Sequence, residues 1–453
     1  MITQHSLYHK DKLIATFCLN NNEVTKLAIY KSNIDLLPLP LKRIIRYKDE
    51  FIDNNMPESL NKDFYFGNDE GCWLFEDWLS DRQLPVNRDN LNKYLSRGKS
   101  AREWMLENNA FSFVDCYWIE NNNEKLTWND IKVKMDDVDE FLFAKSEDKF
   151  YKGINSTLGG ELEKFWFKKN NQLYLCKKVA KNFDILNARE VIASLIYEKQ
   201  GYNNACHYNF ITDKEDEVIG CTCKAFTNEN IELITAYDLL EEYNMTQQND
   251  VYERIIDYAV KYGCNEDDAR NYMDIQTIVD YLINNRDRHQ GNIGFLRDSS
   301  TLQIIKPAPI YDSGSSKHLE GEKPESVEYT KVNGLYSTEI ECLSHIKNWD
   351  VIDIDKLPTT TEIKDILDKC IYISDIRKNT LLNLYDKKCD YIKEKQLEYY
   401  AYTIMHEENL TTKEKRERIF QLPSDHTEQL YKYHKMLKKK ESIYKWKKKI
   451  LGK

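Results

Sequence analysis

Apolar and polar positions alternate over the first part of the chain, where LIATFCL and TKLAIY read as strands. LPLPLKR is a proline-broken connection, and NRDNLNKYLSRGKSAREWMLENN reads as helices. A charged stretch, IKVKMDDVDEFLFAKSEDKFYKG, sets a boundary near residues 130 to 150. From Gly153 the pattern changes. GINSTLGGELEKFWFKKNNQLYLCKKV predicts two strands joined by the polar turn KKNNQ. NFDILNAREVIASLIYEKQGY predicts an amphipathic helix with Ala188, Val191, Ile192, Leu195 and Ile196 on one face and Gly201 as its stop. HYNFITDKEDEVIGCTCKAF reads as a second hairpin. Beyond Glu232 helical spacing dominates, apart from 293–312. The expected fold class is therefore α+β: residues 1–130 form an α/β N-terminal accessory domain, 150–230 a β-rich small lobe, and 231–453 an α-helical large lobe.

A chain of 453 residues is long enough for two or three domains. The composition, 41% hydrophobic and 31% charged with 30 Tyr, 17 Phe and 8 Trp, is that of a soluble globular protein without long disordered tracts. A net charge of −10 gives no support to direct nucleic-acid binding. No apolar run approaches the roughly 20 residues needed to cross a bilayer, so no membrane partner is expected. The opening MITQHSLYHKDKLIATF lacks the order of a secretion signal, and the expected location is cytoplasmic. The 11 Cys are then expected as reduced thiols. Cys221 and Cys223, with Cys206 and His207 nearby, sit in strand-like runs that suit buried thiols better than metal ligands. Residues 431–453 carry ten Lys and one Glu. They read as the solvated face of a terminal helix packed through Leu430, Tyr433, Leu437 and Tyr444, with a patch for nucleic acid, anionic lipid or a partner as the alternative.

The chemistry concentrates in NNRDRHQGNIGF, residues 284–295, and APIYDSGSS, residues 308–316. Phosphoryl transfer needs a carboxylate to orient and deprotonate the attacking hydroxyl, and oxygen ligands for the cation that neutralises the phosphates. Asp287 followed five residues later by Asn292 has that spacing, and Asp312 sits where a second metal-holding carboxylate belongs. The intervening NIGFLRD…LQIIKPAPIYD predicts two short strands around a turn, which returns Asp312 to the side of Asn292. Singly, each of these residues suits a turn or a surface ion pair. Their order, spacing and flanking strands together point to a phosphotransfer site. A β-rich small lobe before a helical large lobe is also the layout of a bilobal, protein-kinase-like fold.

The loop DRHQGN resembles the D-x-H-x-x-N loop of HipA-like protein kinases and, more distantly, of phosphatidylinositol kinases. The resemblance implies Asp287 as catalytic base, Asn292 and Asp312 as Mg²⁺ ligands, and His289 as a structural brace of the loop. A nucleotide-anchoring lysine is expected on the strand QLYLCKKV, where the family's Y-L-x-K ending favours Lys177 over Lys178. Glu190 lies in NAREVIASLIY, which resembles the family's E-x-x-A-S helix, and is its expected partner. INSTLGGELEK resembles the S-x-x-G-x-x-x-K phosphate loop, with Thr157, Gly160 and Lys164 at matching spacing and Gly159 beside them. By the same resemblance Thr157, with neighbouring Ser156, is a candidate for autophosphorylation. The implied function is transfer of the γ-phosphate of ATP, with Mg²⁺, to Ser or Thr hydroxyls of a cytoplasmic protein, in a toxin-like or regulatory role. Its implied partners are a protein substrate and an antitoxin or regulatory protein. A lipid or small-molecule kinase and a nucleotidyl transferase would use the same residues and remain alternatives.

Overall fold

The computed structural model describes residues 2–49, 63–67, 70–85, 91, 95, 99–121, 124–135, 138, 157–160, 162–179, 184–242, 250–314, 331–422 and 435. Ser156, the boundary stretch 139–150 and the tail positions Leu430, Tyr433, Leu437 and Tyr444 lie outside these residues.

The first strands, β1 (Ile2–His9), β2 (Lys12–Asn20) and β3 (Glu23–Tyr30), form an antiparallel meander. Asn21 and Asn22 both take positive φ, 52° and 68°, which is the backbone of a tight two-residue hairpin turn. With β4 (Asp63–Gly67) and β5 (Tyr117–Asn121) they make a five-stranded sheet of order β4-β3-β2-β1-β5. The meander buries Leu7, Ile14, Phe17 and Ile29 against Phe75 and Leu79 of α2 (Glu70–Asp81), which follows α1 (Lys42–Asp49). α3 (Ala101–Glu107) begins at a Ser100–Glu103 capping box, and α4 (Trp128–Ile131) adds one turn after β5.

The second sheet has the order β6-β7-β9-β8, built from β6 (Lys164–Lys169), β7 (Gln172–Lys178), β8 (Asn209–Thr212) and β9 (Val218–Lys224). The expected hairpin turns at Asn170–Asn171, both at positive φ, and β6 runs from Lys164 to Lys169. α5 (Ile185–Lys199) packs beside this sheet.

The remaining part is mainly helical. β10 (Ile231–Thr235), β11 (Gly294–Asp298) and β12 (Ile304–Pro307) form a small antiparallel sheet. The strand β10 was not evident in the hydrophobic pattern, because its alternation merges into the helical spacing that follows. α6 (Ala236–Glu242) and α7 (Val251–Lys261) lead to α8 (Glu266–Leu282). Asn265 caps α8 by accepting from the Asp268 N–H, and Glu266, Asp267 and Asp268 complement the positive end of its dipole. α9 (Glu339–Leu343), α10 (Thr360–Leu367), α11 (Asp375–His406) and α12 (Thr412–Phe420) are the last helices among the described residues. α11 reaches the end of α8 through Lys388, a fully buried ammonium that donates to the Tyr281 carbonyl at 2.7 Å, to Glu339 at 2.9 Å and to Asn284. A cation on the last carbonyls of α8 satisfies groups that the helix itself cannot. Among the described residues no helix is long and apolar enough to cross a membrane.

The N-terminal sheet is tied to the small sheet by a buried polar cluster. Glu232 on β10 accepts from Arg297 at 2.7 and 2.9 Å, from the Cys116 main chain at 2.8 Å, and lies 3.0 Å from His9 Nε2. Burial opposes the Glu232 charge, but Arg297 and His9 outweigh it and hold the carboxyl down to about 2. His9, Cys116 and Glu232 lie close enough to share a cation. Arg297 already neutralises Glu232, and burial pushes the Cys116 thiol up, so the group is built as an ion pair rather than a metal site.

Candidate active site

α8 ends in a loop that carries the DRHQGN motif. Asn284 takes positive φ, 56°, and turns the chain out of the helix. The loop is then organised around one buried guanidinium. Arg288 pairs with Asp280 of α8 through two bonds, 2.7 and 2.9 Å, and donates to the carbonyls of Asn292 at 2.7 Å and Tyr311 at 2.6 Å. It also reaches the Ser313 hydroxyl at 3.2 Å. Burial opposes its charge, yet Asp280 more than compensates and holds Arg288 protonated. One side chain thus fixes the chain at Asn292 and the chain before Asp312 relative to the same helix. Asp280 also accepts from Asn285, whose amide oxygen in turn receives the Asp287 N–H at 3.2 Å.

Asp287 is 7% exposed, with its Oδ1 accepting from Asn333 at 2.7 Å. The Asn292 amide nitrogen donates to the Asp287 carbonyl at 3.0 Å, which leaves the amide oxygen as the donor available to a cation. His289 is exposed, and its Nδ1 accepts from the Gly291 N–H at 3.1 Å, starting the short 3₁₀ turn Gln290–Asn292. Its bond is local to the loop.

β11 and β12 form the hairpin expected from the sequence, and Arg288 bridges the backbone on either side of it. Asp312 follows with φ of 54°, an uncommon left-handed conformation for a residue with a side chain. Gly314 is required by close approach: a Cβ there would sit 2.4 Å from the Leu186 carbonyl of α5. The Ser313 N–H donates to Glu190 Oε2 at 2.9 Å, which ties this turn to α5 as well.

Lys177 and Glu190 meet at the centre. Each is 2% exposed, and Lys177 Nζ bonds both Glu190 Oε1 and, at 2.7 Å, Asp312 Oδ1. Burial disfavours the ammonium, but Asp312 and Glu190 override it and raise the Lys177 pKa. For Asp312, burial is outweighed by Lys164 and Lys177, which hold the carboxyl well below the usual carboxylate range. Tyr208 adds its ring face 4.8 Å from the Lys177 ammonium. Lys178 points away from this cluster and pairs with Glu163 at 2.9 Å. α5 is aligned by two further side chains. Asn187 donates to the Lys177 carbonyl at 3.0 Å, and Ser194 donates to the Cys206 carbonyl at 3.1 Å while accepting the Tyr208 N–H at 2.8 Å.

The glycine-containing stretch approaches the same centre through Lys164, whose Nζ lies 3.8 Å from Asp312 Oδ2. Gly160 has φ of 86° and lies beside the Lys164 ammonium, whereas Gly159 is exposed with open space around its Cα. Thr157 is directed elsewhere: its hydroxyl donates to the Phe111 carbonyl, before β5, at 2.9 Å. Cys206, Cys221 and Cys223 lie with Tyr208 in an apolar cluster next to Lys177. Sequence reasoning missed Asp280, Asn333 and Lys388. Asp280 falls on the buried face of a helix, Asn333 lies 46 positions beyond Asp287, and Lys388 stands in a charge-rich helix, so none carries a local signal.

The donor set suits Mg²⁺. Asp312 and Asn292 supply hard oxygen atoms from two segments held by one arginine, and the pairing of Asp312 with lysines keeps it ionised as a ligand must be.

No protein-family model matches the chain. The serine/threonine-protein kinase CtkA of Helicobacter pylori is 25% identical over 208 residues, covering 40% of this chain and 57% of that protein. The chain thus spans a little over half the length of this curated relative. A crystal structure of an H. pylori proinflammatory kinase CtkA aligns at 21% identity with a TM-score of 0.38, covering 52% of this chain and 89% of that one. The chain is an α+β protein with distant similarity to a serine/threonine-protein kinase.

Proposed function

We propose that this protein is an ATP-dependent kinase of the HipA-like type that transfers the γ-phosphate to Ser or Thr hydroxyls of a protein. The observation that carries the proposal is the buried contact of Lys177 with both Glu190 and Asp312, beside the Arg288-organised loop of Asp287 and Asn292. Distant similarity to a serine/threonine-protein kinase supports it. A strand lysine held by a helical glutamate suits the α- and β-phosphates, because the glutamate fixes the position of a flexible side chain before the nucleotide arrives. Asp312 and Asn292 would hold Mg²⁺, which when bound neutralises phosphate charge. Asp312, which now contacts the Lys177 ammonium, would be one of the oxygen ligands of that cation. Asp287 accepts the proton of the acceptor hydroxyl as its oxygen bonds to the γ-phosphorus and the bond to the β-phosphate oxygen breaks, releasing ADP. Lys164, which approaches Asp312, would supply a further positive charge for the phosphates.

The test is label transfer from ATP carrying isotope on either the α- or the γ-phosphate, with this protein and Ser/Thr-containing polypeptides as acceptors. Transfer of γ-label alone onto Ser or Thr, abolished by Asp312→Asn, is expected. Transfer of α-label would replace the proposal with nucleotidyl transfer. Label that enters only lipid or small-molecule acceptors would move the acceptor class.

A further inference from the structure

The base of the catalytic loop receives a hydrogen bond from outside its own loop. Residues 331–338 form a tight excursion, closed by a bridge between Lys331 and Thr338 and by the Val332 N–H donating to the Ser337 carbonyl at 3.0 Å. At its tip Asn333 makes two contacts with the loop opposite. Its N–H donates to the Arg286 carbonyl at 2.7 Å, and its Nδ2 donates to Asp287 Oδ1 at 2.7 Å. The first contact registers the backbone. The second is a charge-assisted bond to one oxygen of the carboxylate.

The excursion is firmly seated. Tyr336 stacks on His345, with ring centres 3.9 Å apart and planes 3° from parallel, and its hydroxyl donates to Asp250. Leu335 packs against the main core of the helical part. Gly334 runs past the Arg288 carbonyl. A donor on such a support costs little entropy at the moment of reaction, because its position is set by packing.

A carboxylate side chain turns freely about its terminal bond unless something holds it. Asp287 has two oxygens, and only one can take the proton of an acceptor hydroxyl. A donor on Oδ1 restrains the rotation of the carboxylate plane. We propose that Asn333 is a positioning residue for phosphotransfer, acting by holding the Asp287 carboxylate in the orientation that receives the hydroxyl proton. The inference rests on the kinase reading given above. Asn333 makes no contribution to the nucleotide side of the site, where Lys177, Glu190, Lys164 and Asp312 gather.

The experiment compares Asn333→Leu, Asn333→Gln and Asn333→Asp in the full chain, each with and without Asp287→Asn, measuring kcat, KM for ATP and thermal stability. Leucine keeps the size and removes the donor, and misplacing a reacting group by about an ångström is enough to cost up to ~10²-fold in rate. The expected result is a kcat at least about tenfold lower for Asn333→Leu, with KM for ATP unchanged within about twofold. Asn333→Gln, which keeps the amide, recovers part of that loss, and Asn333→Asp, which sets two carboxylates together, is worse than leucine. In the Asp287→Asn background the leucine change has no further effect on the residual rate, since it acts through Asp287. Wild-type kcat in Asn333→Leu would overturn the inference alone. So would a loss that persists unchanged without Asp287, or one that tracks melting temperature across all three variants. A wild-type protein that binds ATP but transfers no phosphate to any acceptor overturns this inference and the proposed function together.

Discussion

Lys177 is a charge with no water to lean on. At 2% exposure, its ammonium is stable only because Glu190 and Asp312 surround it, and Lys177 in turn offsets part of the charge of both carboxylates. Breaking a buried pair by removing one partner leaves the other uncompensated, at about 3–5 kcal/mol. Lys177→Met is therefore expected to lower the unfolding free energy by about that much in urea titrations. The double variant Lys177→Met/Glu190→Gln should recover part of it, because the orphaned charge has gone. An additive double variant would show that the two groups do not depend on each other. Arg288 makes the same argument on the other side of the site. Its bonds to Asp280 and to two carbonyls make Arg288→Ala destabilising by about 3 kcal/mol or more, whereas Arg288→Lys cannot restore the forked geometry. Chemical denaturation of both variants checks the ordering. Equal stability of the lysine variant and the parent would remove Arg288 as the organiser of the loop.

At the scale of elements, the site is a meeting of ends: the last turn of α8, the exit of the β11–β12 hairpin, the C-terminal end of β7 and the first half of α5. Much of this could be read in the chain. The Asn170–Asn171 turn and the hairpin between Asn292 and Asp312 follow from local spacing, since turn chemistry is a property of neighbouring residues. By contrast α5, expected to pack through one face that included Val191 and Leu195, is buried on nearly every side, with those two buried only in part. The choice between Lys177 and Lys178 is a matter of strand parity, and the structure turns Lys177 toward Glu190 and Lys178 toward Glu163. What escaped the sequence is of another kind. Asn333 meets Asp287 and Lys388 meets the end of α8 across segments with no shared periodicity, and Glu232 faces Arg297 across the β10–β11 pair, whose first strand the hydrophobic pattern did not disclose. Such partners are selected by tertiary proximity, and a single polar residue in a polar-rich chain gives no sign of it. Thr157 is a case in between. Its place in the glycine-containing stretch was legible, but its bond to Phe111 was not.

Across the whole molecule, the stretch before β5 contacts each of the other parts. Phe111, Phe113, Val114 and Cys116 contact Thr157, Trp166, Thr227, Leu233 and Glu232 in turn, so one short stretch touches the glycine-containing loop, the second sheet and β10. Glu232 is the charged centre of that contact, faced by Arg297, His9, Cys116 and Tyr117. Its folded pKa lies near 2, below the ordinary 4.5 of a glutamate, so the stability it contributes is fully present above pH 4.5 and is lost as pH falls toward 2. The difference corresponds to about 3 kcal/mol. Thermal melts between pH 3 and 6 should therefore fall more steeply for the parent than for Glu232→Gln, and parallel profiles would show that this carboxylate is not the acid-sensitive group.

In the proposed reaction Lys177, Glu190 and Asp312 would serve the nucleotide and Asp287 would serve the acceptor. This division is tested most directly by measuring ATP dissociation and phosphotransfer side by side in the parent and in Asp287→Asn. The variant is expected to bind ATP with Mg²⁺ as the parent does, within about twofold, while its transfer rate falls by about 10²-fold or more. A variant that transfers phosphate at the parental rate, or that loses ATP binding along with transfer, would contradict it.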